Sequence, residues 1–500
     1  MRFDFVNNKF IETEDLSERL FISGTDTNLT VNETFGLHLQ LKQQLIDLKI
    51  PAGHPVIIFG EKEALFPIAM ITCISLNIPY IPVDAIMPEG RIEKIKELSG
   101  SKVIINCSNQ KCKVPFEIHI SNNLEASPSL GFELPIIPCP ANDPLRYILF
   151  TSGSTGEPKG VQITASAFNS FAKWYKDWPG INSEAVFMNQ APFSFDISLC
   201  DFIGLFAFGA TLILNDYTIL KSGPAFLNRL TRYNANTIVC TPSFIQMYLT
   251  VPDFKEATYS HLKQIIFIGE ELPAITAKKL KTAFPNLKIV NAYGPTEATI
   301  VTTYIEITEE ILNQYPKSLP IGYSRPDSEM LVINSSCNKE EEGELAIVGD
   351  HVSIGYLNNK EKNDAAFFTH KEKRAYKTGD HGFIKNNIIF FLGRRDDQIK
   401  LNGYRIELDE IANVILKHPK IANTAVVPLV SGNTVKKIIA FVILKPNEII
   451  NDLNSDLKDF LSKSLSSYMI PSEFIALSEF PLNSNYKTNK KALVEIYMNR

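Results

Sequence analysis

A short apolar strand, Tyr147 to Phe150, runs directly into a loop built almost wholly of Thr, Ser and Gly. Pro158, Lys159 and Gly160 close the loop, and a second apolar run, Val161 to Ile163, follows. The stretch 147–161 reads YILFTSGSTGEPKGV. Glycines let backbone N–H groups approach a phosphate closely, hydroxyls add donors, and a lysine adds a point charge. The P-loop pattern G-x-x-x-x-G-K-[ST] fails here. Lys159 precedes Gly160 instead of following it, no Ser or Thr comes next to hold a magnesium ion, and Pro158 sits inside the loop. Tight bracketing by two strands also argues against a flexible linker. The stretch reads as a nucleotide-phosphate loop of another kind.

Five hundred residues exceed what one hydrophobic core organises, so two or more structural units are expected. Short β-branched runs alternate with helical patterns: VIIF (56–59), KVII (102–105), TIVC (237–240), QIIFIG (264–269) and KIVNAYG (288–294). This alternation predicts parallel sheets with helices on their faces. From about residue 320 the texture turns to short, turn-rich strands: MLVIN (330–334), GELAIVG (343–349) and IIFFLG (388–393). They predict a smaller, more antiparallel sheet or barrel. The longest apolar stretch, Phe66 to Val83, is broken by Asn77 and by Pro67, Pro79 and Pro82, and reads as a buried helix followed by a strand.

A net charge of −5 gives no reason to expect a nucleic-acid partner. Seven scattered cysteines without a C-x-x-C pair fit reduced thiols in a cytoplasm better than a disulfide framework or a zinc site. The segment MRFDFVNNKF has no apolar core of the kind a secretory signal needs, so neither export nor membrane insertion is expected.

The loop string resembles the phosphate loop of the adenylate-forming superfamily, which comprises acyl-CoA synthetases, luciferases and amino-acid-activating adenylation domains. Four more segments carry the resemblance in the family's order: APFSFDIS (191–198), NAYGPTEAT (291–299), YKTGD (376–380) and GRRDDQIKLNGYRIELDEI (393–411). A fifth, PLNSNYKTNK (481–490), looks like its C-terminal lysine motif with Tyr486 in place of a glycine and Asn489 in place of an aspartate. The implied fold is α/β. A large N-terminal domain (1–395) of parallel-rich sheets with flanking helices and a small barrel-like subdomain would bind ATP and substrate. A small, mobile α+β C-terminal domain (396–500) would swivel about Asp396.

The resemblance implies an ATP site of Thr151, Ser152, Ser154, Thr155, Lys159, Asn291, Ala292, Tyr293, Gly294, Asp380 and Arg394. Lys159 would face the β- and γ-phosphates, Tyr293 would stack on adenine, and Asp380 and Arg394 would hold the ribose hydroxyls. Thr296 would touch the α-phosphate and Glu297 would ligate Mg²⁺. Lys487 would bridge the substrate carboxylate and the α-phosphate during adenylation, and the loop around Gly403 would replace it for thioester transfer. Activating a carboxylate requires neutralising two mutually repelling anions, so this catalysis is electrostatic and positional.

Asp196 separates the substrate classes. In the amino-acid-activating branch this aspartate pairs with the α-ammonium, and a fatty acid would leave it buried without a partner. An aspartate here could also cap the following helix. The remaining pocket is expected from Cys200, Ser243, Ile266, Ile268, Ala292, Ile300 and Val301, none of which is charged. The motifs look closest to D-alanine–carrier-protein ligases and free-standing nonribosomal-peptide adenylation enzymes, although the former carry a cysteine where this chain has Ile268. The expected activity is ATP-dependent activation of a small or medium uncharged amino acid: D-alanine, Ser, Thr, Val or Pro. Transfer would follow to the phosphopantetheine thiol of a separate carrier protein, since no carrier motif follows Lys487. An acyl-CoA synthetase and a catalytically silent ATP-binding scaffold, the latter motivated by the altered lysine motif, are the alternatives.

Overall fold

The computed structural model describes residues 2–11, 18–128, 133–140, 142–153, 157–178, 180–333, 342–394, 398–431, 434–481 and 488–500. The chain divides into two compact units. The first comprises Met1–Ala85, Lys96–Phe150 and Gly160–Gly393; the second comprises Ile86–Ile95, Thr151–Lys159 and Arg394–Arg500. The expected hinge, Asp396, lies outside the described residues.

Two large sheets organise the first unit. Along one, the strands run in the order Lys159–Thr164, Leu145–Thr151, Tyr80–Asp84, Val56–Gly60, Val103–Asn106, Ile118–Ile120 and Ala126–Pro128. From Leu145–Thr151 to Ile118–Ile120 these neighbours pair in parallel. The second sheet is centred on Val186–Met188, Thr237–Cys240, Gln264–Phe267 and Lys288–Tyr293, again parallel, and continues through the antiparallel neighbour Thr303–Glu306 to the edge strand Tyr323–Ser324. Each β-branched run expected to be a strand is one.

Side chains alternate between the faces of a strand. Val239, Ile266, Val290 and Ala292 therefore point into one core, while Ile238, Cys240, Ile265, Phe267 and Ile289 point into another. The first of these cores also holds Val56, Ile58, Tyr80 and Val103 from the other sheet, so the two sheets share it. The helix Leu65–Ser75 is buried from Leu65 through Ile74, as its apolar sequence on all sides requires.

The turn-rich region beyond residue 320 forms an antiparallel sheet of Glu329–Ile333, Glu342–Val348, Lys373–Lys385, Phe367–His370 and Ile388–Arg394. In the second unit, the hairpin Gln398–Leu401/Tyr404–Glu407 turns through Asn402 (φ 53°) and Gly403 (φ 86°). Two left-handed residues in a two-residue loop are the signature of a type I′ turn, which explains the Asn-Gly pair. A three-stranded sheet, Ile421–Ser431, Thr434–Leu444 and Glu473–Ala476, completes that unit with the helices Leu408–Ile415, Leu453–Ser462 and Lys490–Met498.

Candidate active site

Tyr293 ends the strand Lys288–Tyr293, and its hydroxyl donates to Asp380 Oδ2 at 2.6 Å. Asp380 is placed by its own short motif. Thr378 Oγ1 donates to Leu345 O (2.7 Å) and accepts from the Asp380 N–H (3.0 Å), while Gly379 adopts φ 72° between them. The carboxylate is thereby fixed in a buried position. Asn291 is buried beside this pair, and its side-chain amide donates to Pro320 O at 2.8 Å, so one of its donors holds the backbone. Ala292 is buried in the core shared by the two sheets. A Cβ on Gly294 would come within 2.6 Å of Ile300 O, so the turn after Tyr293 closes only around glycine.

Glu297 lies in the short helix Thr296–Ala298 and is fully buried. Tyr356 Oη donates to its Oε1 at 2.7 Å, and Tyr376 Oη stands 3.4 Å from Tyr356 Oη. The Glu297 carbonyl accepts from the Ser353 N–H at 2.8 Å. Two left-handed residues follow, Thr299 (φ 55°) and Ile300 (φ 70°), a costly conformation for β-branched side chains. Thr299 Oγ1 donates to His351 O at 2.6 Å and helps to hold it. Thr296 is half-buried on the same turn. Tyr356 escaped the sequence analysis, and Tyr376 entered it only as the first residue of YKTGD, because nothing local marks a tyrosine such as Tyr356 whose partner is 59 residues away.

The phosphate loop belongs to the second unit. Gly153 is obligatory, since a Cβ there would sit 2.1 Å from Glu157 O. Its N–H donates to Glu410 Oε2 (3.0 Å), Ser152 Oγ donates to Arg405 O (2.9 Å), and Lys159 Nζ lies 3.4 Å from Glu407 Oε1. Glu410 also forms a buried ion pair with Arg91 at 2.7 Å. The loop's donors are thus turned toward anionic and carbonyl oxygen, the chemistry a phosphate also offers. Thr151 ends the strand leading in, and Arg394 ends the strand Ile388–Arg394. Ser154, Thr155 and Lys487 lie outside the described residues.

Asp196 is half-buried on an irregular segment just before the helix Ser198–Phe208. The helix takes Ile197 as its N-cap, and Leu199 N–H donates to the Asp196 carbonyl at 2.9 Å. Burial, and then the Asp196 charge, push the Tyr147 hydroxyl well above its ordinary range. Burial also raises the Cys200 thiol, with Asp201 and then Asp196 adding to the effect. These two neighbours therefore stay neutral beside the carboxylate. Gly269 (φ 94°) lets the chain pass Ile197 closely, since a Cβ there would be 2.8 Å from Ile197 Cδ1.

Cys200, Ile266, Ile268, Ala292, Ile300 and Val301 all fall in one contiguous buried cluster. Cys200, Ile266 and Val301 have 0% exposure and Ile268 and Ile300 have 1%, so all five are closed off in the core shared by the two sheets. Ser243 is half-buried, with its N–H donating to Glu270 Oε2 (3.1 Å) and its hydroxyl 3.1 Å from Thr241 Oγ1.

The pattern of the AMP-binding enzyme family matches residues 13–357, and that of the AMP-binding enzyme C-terminal domain matches residues 410–487. The chain belongs to the AMP-binding enzyme family. It is 35% identical to the D-alanine–D-alanyl carrier protein ligase of Bacillus licheniformis, over 97% of this chain and 98% of that one. It is 38% identical to the Listeria welshimeri protein of the same name, over 90% of each. Its fold matches a Vibrio cholerae adenylation domain solved with glycyl-adenosine-5'-phosphate (TM-score 0.82, 21% identity, 98% of this chain and 99% of that one). It also matches an o-succinylbenzoate CoA synthetase from Bacillus subtilis (TM-score 0.81, 21% identity, 96% and 97%).

Proposed function

We propose that this protein is an ATP-dependent amino-acid ligase that joins a small uncharged amino acid, D-alanine or one of similar size, to AMP. It then passes the aminoacyl group to the phosphopantetheine thiol of a separate carrier protein. The observation that carries this reading is Asp196, a half-buried carboxylate whose charge reaches Tyr147 and Cys200 and which stands just before the helix Ser198–Phe208 that carries Cys200. A carboxylate in that place can pair with the α-ammonium of an amino acid, and a fatty acid has no such group to offer. The closed-off burial of Cys200, Ile266, Ile268 and Val301 favours the smallest side chains, because a larger one must displace packed atoms. The two curated relatives are named for D-alanine.

In the first half-reaction a substrate carboxylate oxygen attacks the α-phosphorus, and the bond to pyrophosphate breaks. Tyr293 orients adenine and Asp380 the ribose, Thr296 meets the α-phosphate, and Ser152 and Lys159 take the departing phosphates. Lys487 would serve between the two anions and lower their repulsion. Glu297 fits a hard cation that takes one or two carboxylates together with phosphate oxygens, and Tyr356 already orients its carboxylate. Mg²⁺ held there would neutralise the leaving pyrophosphate. In the second half-reaction the carrier sulfur attacks the carbonyl carbon and AMP leaves with the electrons of the C–O bond. A swing of the C-terminal domain about Asp396 would bring the Gly403 turn to the site in place of Lys487. Cys73, Cys107, Cys139, Cys200 and Cys240 are free thiols, and no described helix is long and apolar enough to cross a membrane. Both facts suit a cytoplasmic ligase.

The test is pyrophosphate exchange with glycine, D-alanine, the L-amino acids and a set of fatty acids, followed by mass-spectrometric detection of carrier loading. Small uncharged amino acids should exchange fastest. Exchange driven by a fatty acid, or by tryptophan, arginine or glutamate, would sink the reading.

A further inference from the structure

The most unusual buried group in the first unit is a lysine that the chemistry above does not use. Lys62 follows the strand Val56–Gly60 and is 2% exposed. Its backbone is held in place because the Lys62 carbonyl accepts from the Thr25 N–H at 3.1 Å. Its ammonium donates to Asn189 Oδ1 and to the Ala191 carbonyl, and lies 4.9 Å from the centre of the Phe193 ring. Asn189 Nδ2 donates in turn to Asp201 Oδ2 at 2.6 Å. Lysine offers only donors, so the Asn189 amide has one orientation that satisfies both neighbours.

The three groups that meet the ammonium, Asn189, Ala191 and Phe193, lie on one irregular segment, Asn189 to Ile197, which leads from the strand Val186–Met188 to Asp196. The segment is fastened at three further points. Ser194 Oγ donates to Asp84 Oδ2 at the end of the strand Tyr80–Asp84, Phe193 stacks on Phe66 at 4.7 Å and 14°, and Gly269 meets Ile197. Burial pushes Lys62 down to about 8 and Asp201 up to about 7, so each is held in place against its own desolvation. The ammonium is hydrogen-bonded by neutral acceptors, with the charges of Asp84 and then Asp201 offsetting part of its desolvation, so one buried charge ties the segment to both carboxylate-bearing elements.

We propose that Lys62 is a positioning residue for amino-acid recognition: through Asn189 and Ala191 it sets the course of the segment that presents Asp196 to the substrate's ammonium. Ser194 and Asp84 form the second anchor of the same device. The proposal rests on Asp196 being the ammonium's partner, and its test separates the two ideas.

Full-length wild type, Lys62→Met, Ser194→Ala and Asp196→Asn are compared by pyrophosphate exchange. The amino acid and ATP are varied in turn, with the best substrate from glycine, D-alanine and the L-amino acids. Misplacing a binding group by an ångström costs up to about a hundredfold. Lys62→Met should therefore raise the amino-acid KM on the order of 10- to 100-fold and leave the ATP KM within about twofold. Ser194→Ala should move the amino-acid KM the same way, by a smaller factor. A purely structural role would lower the melting temperature and scale kcat with the folded fraction, leaving both KM values alone. Where Asp196→Asn raises the amino-acid KM, the proposal is overturned if folded Lys62→Met keeps the wild-type value. It is equally overturned if Lys62→Met yields no folded protein and Ser194→Ala keeps that value. If Asp196→Asn itself has no effect, the assignment of Asp196 falls and the proposal falls with it.

Discussion

Tyr293 and Asp380, 87 residues apart, share a 2.6 Å hydrogen bond in which the phenol donates to the carboxylate. One end of the proposed nucleotide site is therefore joined to the other before any ligand arrives. The aromatic ring expected under adenine fixes the carboxylate expected on the ribose. Hydrogen bonds to charged groups contribute about 1.5–3 kcal/mol. Tyr293→Phe keeps the ring and loses this bond, so the ATP KM should rise roughly tenfold while kcat changes less. An unchanged ATP KM would show that Asp380 needs no help from the phenol.

Glu297→Gln preserves the shape of the side chain and its acceptance from Tyr356 Oη, but removes the charge. If Glu297 holds magnesium, pyrophosphate exchange should fall by about a hundredfold or more, in line with the loss of one preorganised electrostatic partner. Higher Mg²⁺ should recover part of it. Tyr356→Phe should give a milder loss of the same kind. A magnesium titration that superimposes on wild type for Glu297→Gln would remove the metal role.

Lys487→Ala should abolish adenylate formation and leave transfer from preformed aminoacyl-AMP largely intact, because no free substrate carboxylate remains in the second step. Single-turnover assays of each half-reaction measure this directly. Equal losses in both would assign the lysine motif a structural role.

Gly269→Ala places a Cβ against Ile197 and forces a left-handed φ on an L-residue, at about 1–2 kcal/mol. The thermal midpoint should drop by several degrees, and the amino-acid KM should rise more than the ATP KM, since Ile197 adjoins Asp196. Ile197→Val in the same chain should relieve the contact without restoring the midpoint, because the strain sits in the backbone. Full recovery would reverse that attribution.

His38 should make the fold sensitive to acid. Burial, helped by Lys42, lowers its pKa from 6.5 to about 4. Thr72 Oγ1 donates to Ile68 O, so neutral His38 supplies the Nδ1–H to Thr72 at 2.9 Å. The folded state binds fewer protons than the unfolded one between these values. Stability from this group is complete above pH 6.5, declines as the pH falls toward 4, and levels off below. At about 1.4 kcal/mol per unit, the loss reaches up to about 3 kcal/mol. The urea midpoint of His38→Leu should therefore fall less steeply than that of wild type between pH 7 and 4.5. Parallel curves would contradict the burial argument.

Local sequence was enough for the strands named above and for the family. Runs such as TIVC and QIIF have the period and branching of buried strands, and the alternation of Ile265, Ile266 and Phe267 between two cores follows from that period alone. Thr378-Gly379-Asp380 and Asn402-Gly403 carry their geometry within a few residues, because side-chain-to-backbone bonds and left-handed turns are local chemistry. Partners were a different matter. Tyr356 on Glu297, the phenol of Tyr293 on Asp380, and Lys62 on Asn189 across 127 residues leave no periodic trace. Those pairs depend on which strands become neighbours, and in these sheets the spatial order departs from the chain order: Val56–Gly60 lies between Tyr80–Asp84 and Val103–Asn106. Side-chain type is written residue by residue, whereas proximity is set by the minimum-energy stacking of whole elements, and only the folded molecule decides it.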